Sequence, residues 1–162
     1  MGESVQTLVF RLEEQLFALP VELVERVVLA VRITVLPEAP PLILGLVNAW
    51  EQLLPVFDLR RRLLLPARPL RPSDRMIITG GELPLCFAVD ALVGVMAFAA
   101  PQLRAPGEVH PELAKFLSGV ATVAGETVLV FARQSLFGGL DLAETRSFLA
   151  GQEEAPDARL GT

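Results

Sequence analysis

The stretch ILGLVNAWEQLLPVFDLR at 43–60 returns in altered form as LSGVATVAGETVLVFAR at 117–133. Gly45-Leu46-Val47 aligns with Gly119-Val120-Ala121, and Val56-Phe57 with Val130-Phe131, at one unbroken offset of 74 (45 to 119, 56 to 130). Pro37-Glu38 and Pro111-Glu112 keep the same offset. Earlier in each half, Phe17-Ala18-Leu19 is echoed by Phe87-Ala88-Val89, and a Leu-Val pair follows each, Leu23-Val24 and Leu92-Val93. A spacing kept through several segments marks an internal repeat. The chain is therefore expected to hold two related lobes, 5–63 and 74–138.

Each lobe reads as strands. Residues 5–12 alternate apolar and polar side chains, Glu13-Glu14 supplies a turn, and 15–19 resumes an apolar run, which is a hairpin signature at period two. Residues 76–79 and 85–89 flank Gly80-Gly81-Glu82, where glycine supplies the positive φ of a tight turn. A third hairpin spans 120–131 around Ala124-Gly125. Helical periodicity is confined to 112–117 and 140–149, the latter with Asp141 as its cap. Between the lobes, 64–73 carries Pro66, Pro69 and Pro72 at every third position, the composition of a stiff extended linker. Residues 139–162 form the closing helix and an acidic tail.

Bulk composition narrows the function. A chain of 162 residues can bury roughly two thirds of its unfolded surface. With 52% hydrophobic residues and a mean hydropathy of +0.49, general disorder is excluded and some apolar surface is expected to face partners. The longest apolar runs, 39–50 and 91–103, contain proline and fall short of the about 20 residues of a membrane-spanning helix, so no membrane insertion is expected. The first residues lack a secretory signal pattern and Cys86 is the single cysteine, which points to a cytoplasmic setting. Six arginines crowd 60–75, but no aromatic residues are interleaved and the net charge is −5, so nucleic acid is not the expected partner. That run reads as a solvated strand end and linker.

Reactive side chains are scarce. His110 is the single histidine and there is no tyrosine. His110 stands before Pro111 as a turn residue, and Cys86 lies in an apolar strand with no neighbour in sequence to activate it. Zinc would need several His or Cys ligands, and no phosphate-cradling glycine motif is present. Asp90 interrupts an apolar run and reads as the cap of the turn that follows. No catalytic residue, metal site or cofactor is expected; the chain reads as non-enzymatic.

Residues 10–21, Leu36-Pro37 with Pro40-Pro41, Gly45-Leu46-Val47-Asn48, the run Leu54-Pro55-Val56-Phe57-Asp58-Leu59-Arg60, Val89-Asp90 with Val93, and residues 119–131 resemble the CheW-like family of chemotaxis adaptors, over 5–138 of the chain. The resemblance implies a mainly β fold: two SH3-like five-stranded β-barrels, able to exchange strands, with short helices and a C-terminal helix. It implies a scaffold in two-component signal transduction that bridges the regulatory domain of a CheA-type histidine kinase to the cytoplasmic tip of methyl-accepting chemoreceptors. By the same resemblance the partner-binding side of the first barrel carries Val24, Arg26, Gly45, Asn48, Trp50 and Glu51. Family members usually carry Arg-Gly where this chain has Trp50-Glu51, and many carry an acidic residue at Arg26. The expectation is that Arg26 meets Trp50 by cation–π contact or Glu51 by charge. Two other readings remain open from sequence: a CheW-like subunit of a non-flagellar pathway such as twitching motility or surface sensing, and a small-ligand-binding β-barrel sensor.

Overall fold

The computed structural model describes residues 4–49, 52–99, 111–132, 136–138 and 140–154. In chain order the strands are β1 Ser4–Leu12, β2 Gln15–Pro20, β3 Val24–Leu29, β4 Thr34–Val35, β5 Ile43–Ala49, β6 Gln52–Phe57, β7 Arg75–Thr79, β8 Leu85–Val89, β9 Ala91–Ala99, β10 Leu117–Val123 and β11 Glu126–Phe131. The helices are α1 Leu59–Arg62, α2 Pro111–Ala114 and α3 Leu142–Glu154, with one 3-10 turn at Val21–Leu23.

The three hairpins form where the alternation places them, and each turn meets the local demand for positive φ differently. Ala124 (+49°) and Gly125 (+83°) both enter the left-handed region, as a two-residue turn with the twist of its strands requires. Glu13 does so at +55° without a glycine, and of the Gly80-Gly81 pair Gly81 carries the positive value, +103°. The 112–117 segment gives less helix than its period suggests. α2 stops at Ala114, and Leu117 already pairs with Phe131 while Ala132 N–H donates to Phe116 O, so sheet pairing captures the end of the segment.

Two compact units result. Unit 1 comprises 1–24 and 89–138, and unit 2 comprises 25–88 and 139–162. Unit 1 holds a five-stranded sheet in the order β10-β11-β2-β1-β9, and unit 2 a six-stranded sheet in the order β3-β7-β8-β6-β5-β4. Both orders are open among the described residues. Replacing β10, β11, β2, β1 and β9 by β5, β6, β8, β7 and β3 converts the first order into the second. The repeat is therefore real at the level of topology, but its members are exchanged. Each unit takes the leading hairpin of one repeat and the trailing three strands of the other, so the units cut across the consecutive halves 5–63 and 74–138.

The correspondence reaches the individual residue. β5 and β10 share the burial pattern of buried, exposed, three buried, exposed, half-buried. Their ladders slip at equivalent places, between Ile43 and Gly45 on β6 and between Leu117 and Gly119 on β11. In both units the trailing hairpin meets the other repeat's leading hairpin by a parallel ladder, Val56 opposite Cys86 and Val130 opposite Ala18. Phe17 and Phe131 stack at 5.7 Å between ring centres in unit 1, and Phe10 stacks on Phe17 at 5.9 Å. Their counterparts in unit 2, Phe87 and Phe57, are likewise buried. Burial of such rings is a main force holding each unit's core together.

The sixth strand of unit 2 requires glycine at its crossing. β4 runs antiparallel to β5, with Val35 opposite Gly45. A Cβ on Gly45 would collide with the Thr34 carbonyl oxygen and sit 2.8 Å from the Thr34 carbonyl carbon and 2.9 Å from Val35 Cα. The 64–73 segment also departs from expectation. Both of its ends, α1 and β7, belong to unit 2, so it is a loop within that unit and not a spacer between lobes.

Candidate functional site

Among the described residues no group of three or more His, Cys, Asp or Glu side chains could hold a metal ion. Cys86 is fully buried on β8, and burial pushes its thiol up to about 12, so the thiolate needed for nucleophilic work is suppressed. His110 lies outside the described residues. No described helix is long and apolar enough to cross a membrane.

Surfaces are more informative. β9 is the end strand of the five-stranded order, and it is apolar on both faces. Met96 and Phe98 turn toward the unit 1 core built on Val9, Ala18, Val128 and Val130, while Ala91, Val93, Val95 and Ala97 face outward. Val95 is 60% exposed and Val93 44%. No charge interrupts the nine residues, which is unusual for an end strand, since such strands are ordinarily guarded by Lys, Pro or a short length. In unit 2, Leu29 on β3, Val35 on β4 and Leu44 on β5 are exposed at 61%, 65% and 38%. Val35 lies opposite Gly45 across the ladder.

The residues singled out from the sequence are distributed over this frame. Val24 opens β3 half-buried, and Arg26 is exposed two residues on. Strand alternation puts Arg26 on the same side as Val28, whose side chain packs on the unit 2 core of Val47, Leu54, Val56, Met76, Ile78 and Cys86. Arg26 thus continues a core-facing row beyond the end of the core. Asn48 is exposed near the end of β5, opposite Leu53. Gly45 is buried, and its role is the close passage of β4. Three strands separate β3 from β5 in the ladder order, so hydrogen-bond register does not bring Arg26 and Asn48 together. Trp50 and Glu51, and with them the expected Arg26 pairing, lie outside the described residues. Sequence reading passed over Val95 because a strand apolar on both faces shows no alternation; Val93 entered through the repeated Leu-Val pair and the resemblance, not as a partner-face residue.

The arginines of 60–75 are only partly solvated: Arg61 and Arg71 are exposed, Arg62 is buried, and several of the others are tied to the loop. Prolines remove backbone donors from this loop, and arginine side chains take over the carbonyls. Arg60 Nη1 donates to Pro66 O at 2.9 Å, Arg68 Nη1 to Pro69 O at 2.7 Å and Arg75 Nη1 to Ser73 O at 2.9 Å. Asp74, 1% exposed, is the anchor. Arg68 grips its carboxylate with two bonds of 2.9 and 2.8 Å, and the Arg71 backbone N–H adds a third at 2.8 Å. Burial alone would raise the Asp74 carboxyl, but the Arg68 and Arg71 bonds and charges hold it below the usual carboxylate range. Its carbonyl also accepts from Ala30 N–H at 3.1 Å, tying the loop to the segment after β3. Arg62, nearly buried, lies 5.2 Å over the Phe57 ring, and desolvation lowers its pKa.

Comparison with known proteins accords with this architecture. A family model described as CheW-like domain matches residues 6–139. The chain is similar to a chemotaxis protein CheW of Treponema pallidum (strain Nichols), with 23% identity over 146 residues and 86% of each protein covered. It is also similar to the crystal structure of a scaffolding protein, TtCheW from Thermoanaerobacter tengcongensis, with a TM-score of 0.74 and 27% identity over 88% of this chain and 95% of that one.

Proposed function

Because the chain belongs to the CheW-like domain family, we propose that it is a non-enzymatic adaptor of chemotaxis signalling, coupling the regulatory domain of a CheA-type histidine kinase to the cytoplasmic tip of methyl-accepting chemoreceptors. The observation that carries the reading is the match of the family model to 6–139, supported by the likeness to a scaffolding protein over nearly its whole length. The described surface fits such a task, since an adaptor needs preformed apolar faces and little reactive chemistry. The uncharged outward row of β9 and the exposed Leu29, Val35 and Leu44 supply those faces. Val24, Arg26, Asn48, Trp50 and Glu51 are proposed as partner contacts, with Gly45 shaping the strand beneath them. The adaptor acts in the cytoplasm, where both partners present these domains.

A second reading within the same class has one specific feature in its favour. Trp50-Glu51 stands where family members usually carry Arg-Gly. An indole and a carboxylate in place of a guanidinium would suit a different receptor, as in a non-flagellar pathway of twitching motility or surface sensing. Titration calorimetry separates the readings. The kinase regulatory domain is expected to bind at a micromolar constant, about −8 kcal/mol, and the receptor-tip fragment that also binds identifies the pathway. Absence of heat and of co-elution with any kinase regulatory domain at roughly 100 μM, where a micromolar complex is nearly saturated, overturns the adaptor function.

A further inference from the structure

Leu64 occupies a position that leucine ordinarily avoids. α1 ends in a motif in which Leu65 N–H reaches back to Arg60 O at 2.8 Å and Leu64 N–H to Arg61 O at 3.2 Å. This pattern forces the residue after the cap into the left-handed region, where glycine is the usual occupant. Leu64 is held there at φ +62° and is 60% exposed. A β-carbon in this conformation is a steric cost, and a mostly exposed isobutyl group adds little burial to offset it. A bulky residue kept in an unfavourable conformation with its side chain in solvent is the signature of a group retained for contact with something else.

The surroundings specify what that something carries. Residues 60–75 hold six arginines against one aspartate, a net +5, while the whole chain stands at −5. The remaining residues therefore carry −10. The carbonyl and carboxylate bonds described above hold Arg60, Arg68 and Arg75 along one loop, so the positive charge is positioned as well as concentrated. Arg61 is exposed beside Leu64.

We propose that the 60–75 loop of unit 2 is a docking surface for an acidic protein segment bearing an apolar side chain, with Leu64 as the apolar anchor and the exposed Arg61 beside it as the charged contact. Charge complementarity selects an acidic partner, and Leu64 selects protein over nucleic acid. A nucleic-acid surface would interleave stacking aromatics with the arginines and would not sit on a chain otherwise at −10. Arginine is among the residues enriched at strong protein contacts. This surface is independent of the kinase and receptor contacts proposed above, and its test does not depend on either partner.

The test uses the full chain and a fluorescent Glu-rich peptide with a central leucine, with three controls: the same peptide with Lys for Glu, the same peptide with Ser for the leucine, and single-stranded DNA of equal length. The acidic leucine peptide is expected to bind and to weaken steeply between about 20 and about 300 mM salt. Leu64→Gly and Arg61→Glu are each expected to weaken it by at least about tenfold. Leu64→Gly should at the same time leave the melting temperature unchanged or higher, because glycine fits the left-handed position. Binding and stability moving in opposite directions is a result that a structural leucine cannot give. A lowered melting temperature with unaltered peptide binding, no binding of the acidic peptide, or DNA binding as tight as the peptide's would each overturn the proposal.

Discussion

Asp90 holds the turn at Glu13. Its Oδ2 accepts the Glu13 backbone N–H at 2.8 Å, and its own N–H donates to Arg11 O at 2.9 Å. The two residues are 77 positions apart and come from different repeats, yet both belong to unit 1. Asp90 therefore caps a turn as its sequence setting suggests, but the turn is that of the first hairpin and not the one that follows it. The bond stabilises a non-glycine residue at φ +55° and fixes the point where β9 joins β1.

Asp90→Ala is accordingly expected to destabilise the protein by about 1 kcal/mol, the net worth of a hydrogen bond to a charged acceptor with part of the penalty for the orphaned N–H relieved by water. Asp90→Asn keeps an acceptor oxygen and should lose less. Urea unfolding measures both. A lowered midpoint at unchanged slope is the expected result, and an alanine variant as stable as the parent would show that the bond contributes nothing net.

Local structure was legible in the sequence wherever period two and a turn residue coincided, as at β1–β2, β7–β8 and β10–β11. Asp141 likewise capped α3 as its position suggested: its Oδ1 accepts Glu144 N–H at 2.9 Å. The exchange of hairpins was harder to read. Two similar repeats present the same alternation to either partner, so pairing within a half and pairing between halves look alike along the chain, and only packing decides. The 64–73 loop was misjudged for a related reason. Proline spacing reports the backbone's lack of donors, whereas the Arg60, Arg68 and Arg75 side chains that hold the carbonyls leave no periodic trace. Of the residues proposed for the partner face, Arg26 and Asn48 came from the resemblance and are exposed, while the exposed Val95 left no signal in the sequence.

Gly45→Ala should cost about 2 kcal/mol, since the added methyl meets the Thr34 and Val35 backbone and not a movable side chain. Gly119 stands at the matching slip of the β10–β11 ladder and is also buried. Gly119→Ala is expected to destabilise as well. Denaturant midpoints for the two variants check the equivalence, and a Gly119 variant with an unshifted midpoint would confine the requirement for glycine to the crossing of β4.

The Asp74 clasp predicts an acid limb. Its carboxyl is depressed in the folded state, so its stabilisation is complete above the unfolded carboxylate value of about 4 and is lost as pH falls through the lower folded value. Asp74→Asn, which cannot charge, should be less stable by about 3 kcal/mol near neutral pH, because Arg68 is left without its counter-charge. The gap between parent and variant should narrow below about pH 4. Thermal melts from pH 7 downward measure it. A gap that stays constant through the acid range would mean that the clasp's contribution is not electrostatic.

The partner face is tested most directly by Arg26 and Trp50. Arg26 is exposed on β3, so Arg26→Glu should leave the denaturant midpoint within about 0.5 kcal/mol of the parent. The same change reverses the charge offered to a partner. It should therefore weaken kinase or receptor binding, and the loss should diminish at high salt. Trp50 is the chain's single tryptophan, and on the proposed face a large aromatic flanked by Asn48, Glu51 and Gln52 would act as a binding hot spot. Trp50→Ala is expected to weaken binding by roughly thirtyfold, about 2 kcal/mol, with little loss of stability. Fluorescence gives a separate readout, because a solvent-facing indole emits to the red, is quenched by acrylamide and shifts to the blue when a partner covers it. A blue-emitting, unquenched Trp50 in the free protein, joined to a large stability loss in Trp50→Ala, would place the indole in the core and move the binding face to the outward row of β9.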